Sequence, residues 1–197
     1  IFGITGYMDD LNQIRIYADF IINQNIYADN IEYKAGIGTK LLLGTEYVLL
    51  RDEFRNLPKR ITRVHIKDVL ITLGGADPGN LSETIASELS KVFTEITFHI
   101  AVGPSFTNRD SLKRMAGGNI VLHHNPKMSE LMLKCDAAIS ACGSTVYELY
   151  ACRTPVIGVV AADNQIMAAN KMESMGILKY SRGPEDLIQH LKSLGFE

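Results

Sequence analysis

Cysteine is scarce in this chain. Cys135, Cys142 and Cys152 are odd in number and spaced like no zinc pattern, which argues against a disulfide scaffold or a zinc module and fits reduced, cytoplasmic thiols. Long apolar runs are missing as well. None approaches the roughly 20 residues that a membrane-crossing helix needs, so no integral membrane segment is expected. The opening Ile1-Phe2-Gly3-Ile4 has neither the basic region nor the length of a signal peptide. It also lacks an initiator Met, and we read the chain as the remainder of a longer protein. Neither sign of charge dominates: the net charge of −2 gives no general attraction to nucleic acid or to an anionic membrane. No Asp-x-Asp pair occurs, so a divalent-metal clamp of that kind has no ligands, and the adjacent Asp9-Asp10 cannot supply its geometry on one face. No metal and no cofactor are expected.

What is present is the composition of a globular protein with a sizeable core: 46% hydrophobic and 21% charged residues in 197. From Val69 onward, strand-like and helix-like segments alternate. The strands are Val69–Leu73, Ile96–Val102, Ile120–Leu122, Ala137–Ser140, Pro155–Val160 and Ile177–Tyr180. The helices between and after them are a first one to about Ser90, capped by Asn80 with Glu83 three residues on, then Asp110–Met115, Met128–Lys134, Val146–Ala151, Ile166–Met175 and Pro184–Leu194. Six such units predict an α/β fold with a parallel, doubly wound sheet. The first 60 residues read differently. Ile1–Thr5, Phe20–Asn23 and Tyr47–Leu50 are strand-like without completing a sheet, as if they closed an earlier α/β domain. We therefore divide the chain into residues 1–58 (the end of that domain), a basic, solvated linker over 59–67, and a Rossmann-like domain over 68–197.

The densest chemistry lies between Ile139 and Gln165. The strand ending at Ser140 meets a small-residue turn with Gly143, Ser144 and Thr145, and a helix follows. That arrangement aims unpaired N–H groups at the carboxyl edge of the sheet, where a phosphate is favourably held. Glu148 lies four residues after Ser144, about one turn into the helix, so its carboxylate can return to the same mouth and accept hydrogen bonds from paired sugar hydroxyls. A phosphate cradle with a hydroxyl acceptor predicts a nucleotide-sugar site. Gly74 and Gly75, with Asp77 close behind, form a second turn of the same kind. Asp163-Asn164-Gln165 supplies amides that both donate and accept. His123 and His124 are adjacent on an extended segment and point to opposite sides, which disfavours a shared ligand set.

These residues carry a family resemblance. Asp9-Asp10-Leu11, Ile21-Ile22-Asn23-Gln24-Asn25, Leu43-Gly44, Tyr47-Val48-Leu49-Leu50-Arg51 with Glu53-Phe54, Leu73-Gly74-Gly75-Ala76-Asp77-Pro78, Ser140 to Glu148, and Asp163-Asn164-Gln165 occur in one order and spacing. Together they resemble the UDP-2,4-diacetamido-2,4,6-trideoxy-beta-L-altropyranose hydrolases of the pseudaminic acid pathway and the related spore-coat polysaccharide biosynthesis proteins. That family is itself similar to the glycosyltransferases with two facing Rossmann-like domains. The resemblance implies a UDP-sugar ligand and release of UDP from an acetamido-sugar nucleotide by water. It implies nucleotide contacts at Gly74, Gly75, Ser140, Gly143, Ser144, Thr145 and Glu148, and substrate contacts at Asp77, Asn164 and Gln165. The family's catalytic His sits in a Gly-rich N-terminal turn, and none of the five His here does, so no catalytic residue is assigned. The base is expected on a missing N-terminal segment that this chain would associate with; were it in this chain, Asp163 or His124 would be the first candidates. Cys142 stands where many relatives have a second Gly. A glycosyltransferase of the same fold and a non-catalytic nucleotide-sugar-binding subunit are the alternatives.

Overall fold

The computed structural model describes residues 3–195. The chain divides into two compact units, Ile1–Leu50 and Arg51–Glu197.

In the first unit, β1 (Gly6–Met8), β2 (Phe20–Asn23) and β3 (Lys40–Leu43) form a parallel sheet in that order. The segment does complete a small sheet of its own, contrary to the sequence reading. Its third strand is Lys40–Leu43 rather than Tyr47–Leu50. Gly44 follows at φ +96, a conformation that favours Gly, and the chain turns through a 3₁₀ segment at Thr45–Tyr47. The expected first strand, Ile1–Thr5, begins outside the described residues, and strand structure starts at Gly6. The Asn23-Gln24-Asn25 cluster satisfies backbone: Asn23 Oδ1 accepts from the Asn25 N–H, and Gln24 Oε1 from the Leu49 N–H.

The second unit holds β4 (Asp68–Thr72), β5 (Thr97–Val102), β6 (Ile120–His124), β7 (Ala137–Ala141), β8 (Val156–Val159) and β9 (Lys179–Tyr180). Between and after them come α1 (Leu81–Val92), α2 (Arg109–Met115), α3 (Met128–Lys134), α4 (Thr145–Ala151), α5 (Ile166–Ser174) and α6 (Pro184–Ser193). The strand order is β6-β5-β4-β7-β8-β9, every neighbouring pair parallel. One sheet face, carrying Val69, Ile71, Phe98, Ile100 and Ile139, packs with Ile85 and Leu89 of α1, Leu112 of α2 and Leu187 and Leu191 of α6. The direction of strand addition reverses after β6, so right-handed crossovers place α3, α4 and α5 on the other face. The sheet is thus covered on both sides, which is why its strands are apolar without alternation.

Two local expectations need correcting. Asn80 does not cap α1: it is left-handed at φ +51 and its side chain makes no capping bond. Asp77 does the capping instead, accepting from the Leu81 N–H (2.9 Å), the Ser82 N–H (3.0 Å) and the Ser82 hydroxyl (2.5 Å). Glu83 turns away to accept from Asn108 and Ser111, tying α2 to α1. The second correction concerns residues 59–67, which are not a free, solvated linker. Arg60 donates to the Met132 and Cys135 carbonyls and to Thr154 Oγ1. Arg63 pairs with Asp68 and Asp136, and Ile66 is buried in the core. Residues 51–58 also belong with the second unit, since Phe54 is buried and Glu53 accepts from the Ser129 N–H at the start of α3.

Candidate functional site

In a doubly wound sheet, ligands bind beyond the carboxyl ends of the strands where the order of strand addition reverses. Here that point lies between β4 and β7. Thr72 is level with Ser140, and Ala141 with Val159, so the turns after β4, β7 and β8 open on one edge. Those turns are Gly74–Gly75, Gly143–Thr145 and the loop to Asp163–Gln165.

Gly74 takes φ +86, and both glycines are exposed. The backbone of Gly75 is approached closely from the next loop. A Cβ on Gly103 would stand 2.4 Å from the Gly75 carbonyl oxygen, and the Ser105 N–H donates to that oxygen at 2.9 Å. The turn is therefore built against β5's exit loop rather than hanging free.

At the mouth of α4, the Gly143 N–H donates back to the Ala141 carbonyl at 2.8 Å. Among the described residues no hydrogen bond engages the N–H groups of Ser144 or Thr145, the donors expected to meet an anion. Gln165 reaches over the same turn. Its Oε1 accepts from the Ala161 N–H at 2.9 Å, which fixes the amide, and its Nε2 stands 3.9 Å from where a Cβ on Gly143 would lie. Asn164 is exposed beside it in the 3₁₀ turn Asp163–Gln165. Cys142 points inward: its Sγ would lie 2.7 Å from a Cβ on Gly158, so the thiol fills the space that glycine in β8 leaves. Burial pushes that thiol's pKa up to about 12, which keeps it protonated and unreactive.

Two expected contact residues are turned away. Ser140 is fully buried, and its hydroxyl donates to the Ala141 carbonyl. It shares the sheet face of Thr72 and Gly158, and that face is covered. Asp77 is 2% exposed with both carboxylate oxygens committed to α1. Each shapes its turn and neither presents a side chain to a ligand.

Glu148 lies in the first turn of α4 and has a partner 97 residues away in sequence. Arg51 grips it with two charge-assisted bonds, Nε to Oε1 at 2.7 Å and Nη2 to Oε2 at 2.9 Å. The same guanidinium pairs with Glu53 through Nη1 at 2.8 Å and lies 5.1 Å from the Phe54 ring centroid. That contact with Glu148 raises the Arg51 pKa further above its usual value.

His123 is half-buried and His124 is exposed. His123 Nε2 meets His99 Nδ1 at 2.9 Å, and His99 Nε2 meets Asp68 Oδ1 at 2.7 Å. Arg63 completes the chain at Asp68 Oδ2. His99 is 2% exposed. This network starts from the amino end of β4 and reaches none of the turns above. Among the described residues, no group of three or more His, Cys, Asp or Glu could hold a metal ion, and no helix is long and apolar enough to cross a membrane.

The strand order and its switch-point turns define an α/β protein with a Rossmann-like, doubly wound parallel sheet. A solved structure shares this fold: a glycosyltransferase of kitacinnamycin superposes with a TM-score of 0.59 at 13% identity, over 91% of this chain and 47% of that one. In sequence the chain is a relative of the UDP-2,4-diacetamido-2,4,6-trideoxy-beta-L-altropyranose hydrolases and spore-coat polysaccharide biosynthesis proteins, the family whose motifs it carries. It is 30% identical over 169 residues to that hydrolase of Campylobacter jejuni, covering 81% of this chain and 59% of the relative. It is 34% identical over 114 residues to a Helicobacter pylori protein that combines pseudaminic acid cytidylyltransferase with the same hydrolase, covering 57% and 20%. A Bacillus subtilis spore coat polysaccharide biosynthesis protein is 24% identical over 168 residues, covering 81% and 49%. The chain thus matches less than two thirds of the length of each relative. No family model matches it.

Proposed function

We propose that this chain is the UDP-binding part of a UDP-sugar hydrolase of surface polysaccharide or nonulosonic (pseudaminic) acid biosynthesis, releasing UDP from an acetamido-sugar nucleotide in the cytoplasm. The observation that carries the proposal is the convergence at the switch point: free N–H groups of Ser144 and Thr145, the Gln165 amide over Gly143, and Glu148 one turn in. The N–H groups take the diphosphate, Glu148 takes the ribose hydroxyls, and Asn164 with Gln165 meets the sugar. Fixed dipoles at the turn stabilise the leaving diphosphate as its charge develops. The attacking water requires a base within hydrogen-bond reach. We assign that base to sequence beyond these 197 residues, because no His here occupies a Gly-rich N-terminal turn.

The experiment is to incubate the protein, alone and as part of its full reading frame, with a UDP-acetamido sugar and no acceptor, and to follow UDP release. The full-length protein should release UDP, and this chain alone should be slower by the about 10²–10⁴ that a lost general base costs. Release only when a sugar or lipid acceptor is supplied would make the protein a transferase. Robust turnover by this chain alone would place the base within it, with Asp163 and His124 to be replaced first.

A further inference from the structure

We propose that Arg51 is a positioning residue of the nucleotide site, holding Glu148 in the orientation that receives the ribose. This rests on the ribose reading of Glu148 given above. Arg51 is fixed from three sides. Its Nε and Nη2 take both oxygens of Glu148, its Nη1 takes Glu53, and its plane lies near Phe54. Glu53 is anchored in turn, since its other oxygen accepts from the Ser129 N–H at 3.0 Å. The chain Ser129–Glu53–Arg51–Glu148 therefore links the start of α3 to the first turn of α4. Both carboxylates are largely shielded, with side-chain exposures of 19% for Glu53 and 14% for Glu148.

Such a geometry holds the carboxylate in place rather than blocking it. A carboxylate oxygen has two lone pairs, and a forked guanidinium uses one on each oxygen, leaving the others for hydroxyl donors. Without Arg51, Glu148 would sample several rotamers, and ordering it would fall to the ligand. A lysine could keep the charge but not the two parallel bonds.

The test is calorimetric titration of this chain with UDP and with inorganic pyrophosphate, for wild type, Arg51→Lys, Glu148→Gln and the double variant. Arg51→Lys should weaken UDP about tenfold, the size of one hydrogen bond to a charged group, and leave pyrophosphate unchanged. It should add nothing once Glu148 is Gln, because the two residues act as one unit. Equal loss of both ligands, or the same loss of UDP in both backgrounds, would overturn the proposal. A selective loss of UDP in Glu148→Gln with none in Arg51→Lys would also overturn it, while leaving the ribose reading intact. If Glu148→Gln weakens both ligands equally, the ribose reading itself falls. Glu53→Gln provides a second variant, since it loosens the far side of the guanidinium but keeps an acceptor for Ser129. It should reproduce the UDP selectivity with a smaller loss, and an unchanged UDP affinity would count against the positioning role.

Discussion

Replacing Gly103 with Ala tests whether the Gly74–Gly75 turn is held where the structure places it. The added Cβ would lie 2.4 Å from the Gly75 oxygen, 2.7 Å from the Gly75 carbonyl carbon and 2.9 Å from the Gly74 oxygen. All three are backbone atoms, so no side chain can rotate out of the way. Either the β5 exit loop or the glycine turn must move by about an ångström, a strain of the kind that costs about 1–3 kcal/mol in overpacked sites. That movement also breaks the Ser105 N–H bond to Gly75, worth about 1 kcal/mol. The sum is a loss of roughly 2–4 kcal/mol. Urea denaturation read by circular dichroism would report it as a lower midpoint with an unchanged slope. The internal control is Gly75→Ala, where the new Cβ meets nothing within 4 Å. That variant should stay within about 0.5 kcal/mol of wild type, so any loss of UDP binding it shows reflects the site rather than the fold. If Gly103→Ala is as stable as Gly75→Ala, the close approach is not real and the turn is not braced.

Three further outcomes follow from the contacts described. Asp77→Ala removes the α1 cap and should cost about 1–2 kcal/mol, seen as a lower urea midpoint; an unchanged midpoint would mean that α1 is capped otherwise. Arg60→Met leaves the Cys135 carbonyl without its partner and should cost about 2 kcal/mol in the same assay, whereas a true solvated linker would lose nothing. His123 is held below its usual 6.5, first by burial and then by the positive charge of His99, Lys134 and His124. Below pH 6.5 the unfolded chain takes up a proton there that the folded chain resists. Stability is therefore full above pH 6.5 and falls toward pH 5, with a slope of at most about 1.4 kcal/mol per pH unit from this group. His123→Gln should flatten that slope, and a wild-type stability that is level from pH 7 to pH 5 would refute the assignment.

The sheet of the second unit was legible because its physics is local. Each strand from β4 to β8 is an apolar run stopped by Gly, Pro or a charged turn, and each helix has a start or stop signal within a few residues. The helix at Met128–Lys134 was read with the bounds that it has. The first unit was harder because its strands are short and its sheet is less deeply covered. Tyr7, Met8 and Leu41 are exposed, so apolar residues there do not mark burial, and Lys40–Leu43 has no β-branched or aromatic residue, whereas Tyr47–Leu50 has Tyr47 and Val48. The cap of α1 was misread for another reason. Asn80 stands at the conventional position, but the chain enters α1 through left-handed Asp77 and Asn80. That path carries the Asp77 carboxylate under the first turn and leaves Asn80 outside it.

For the candidate site, the sequence places residues at turns on the carboxyl edge of the sheet but cannot say which way they face. Ser140 and Ser144 are four apart, yet one is fully buried and the other exposed. Ser140 is still in the strand, where its partner in register is Gly158 on a covered face, and Ser144 has already left the sheet. Every residue of β7 is buried because both faces of the sheet are covered, so burial ends where the strand ends and not at one parity. The pairing of Arg51 was hidden for the opposite reason. Arg51 is 97 residues from Glu148, and only the fold that returns β7 beside β4 brings the two together. The sequence shows Arg51 only as part of a family motif, an Arg followed two residues later by Glu and then Phe, at the edge of a segment assigned to a different domain. The basic residues at 60 and 63 repeat the pattern. All three arginines lie within the second unit and bond other parts of its sequence, to Glu148, to Met132, Cys135 and Thr154, and to Asp68 and Asp136. A stretch that reads as solvated linker because it is basic is instead a strap, fastened by guanidinium groups whose length and fork let them bond carbonyls and carboxylates far from their own backbone.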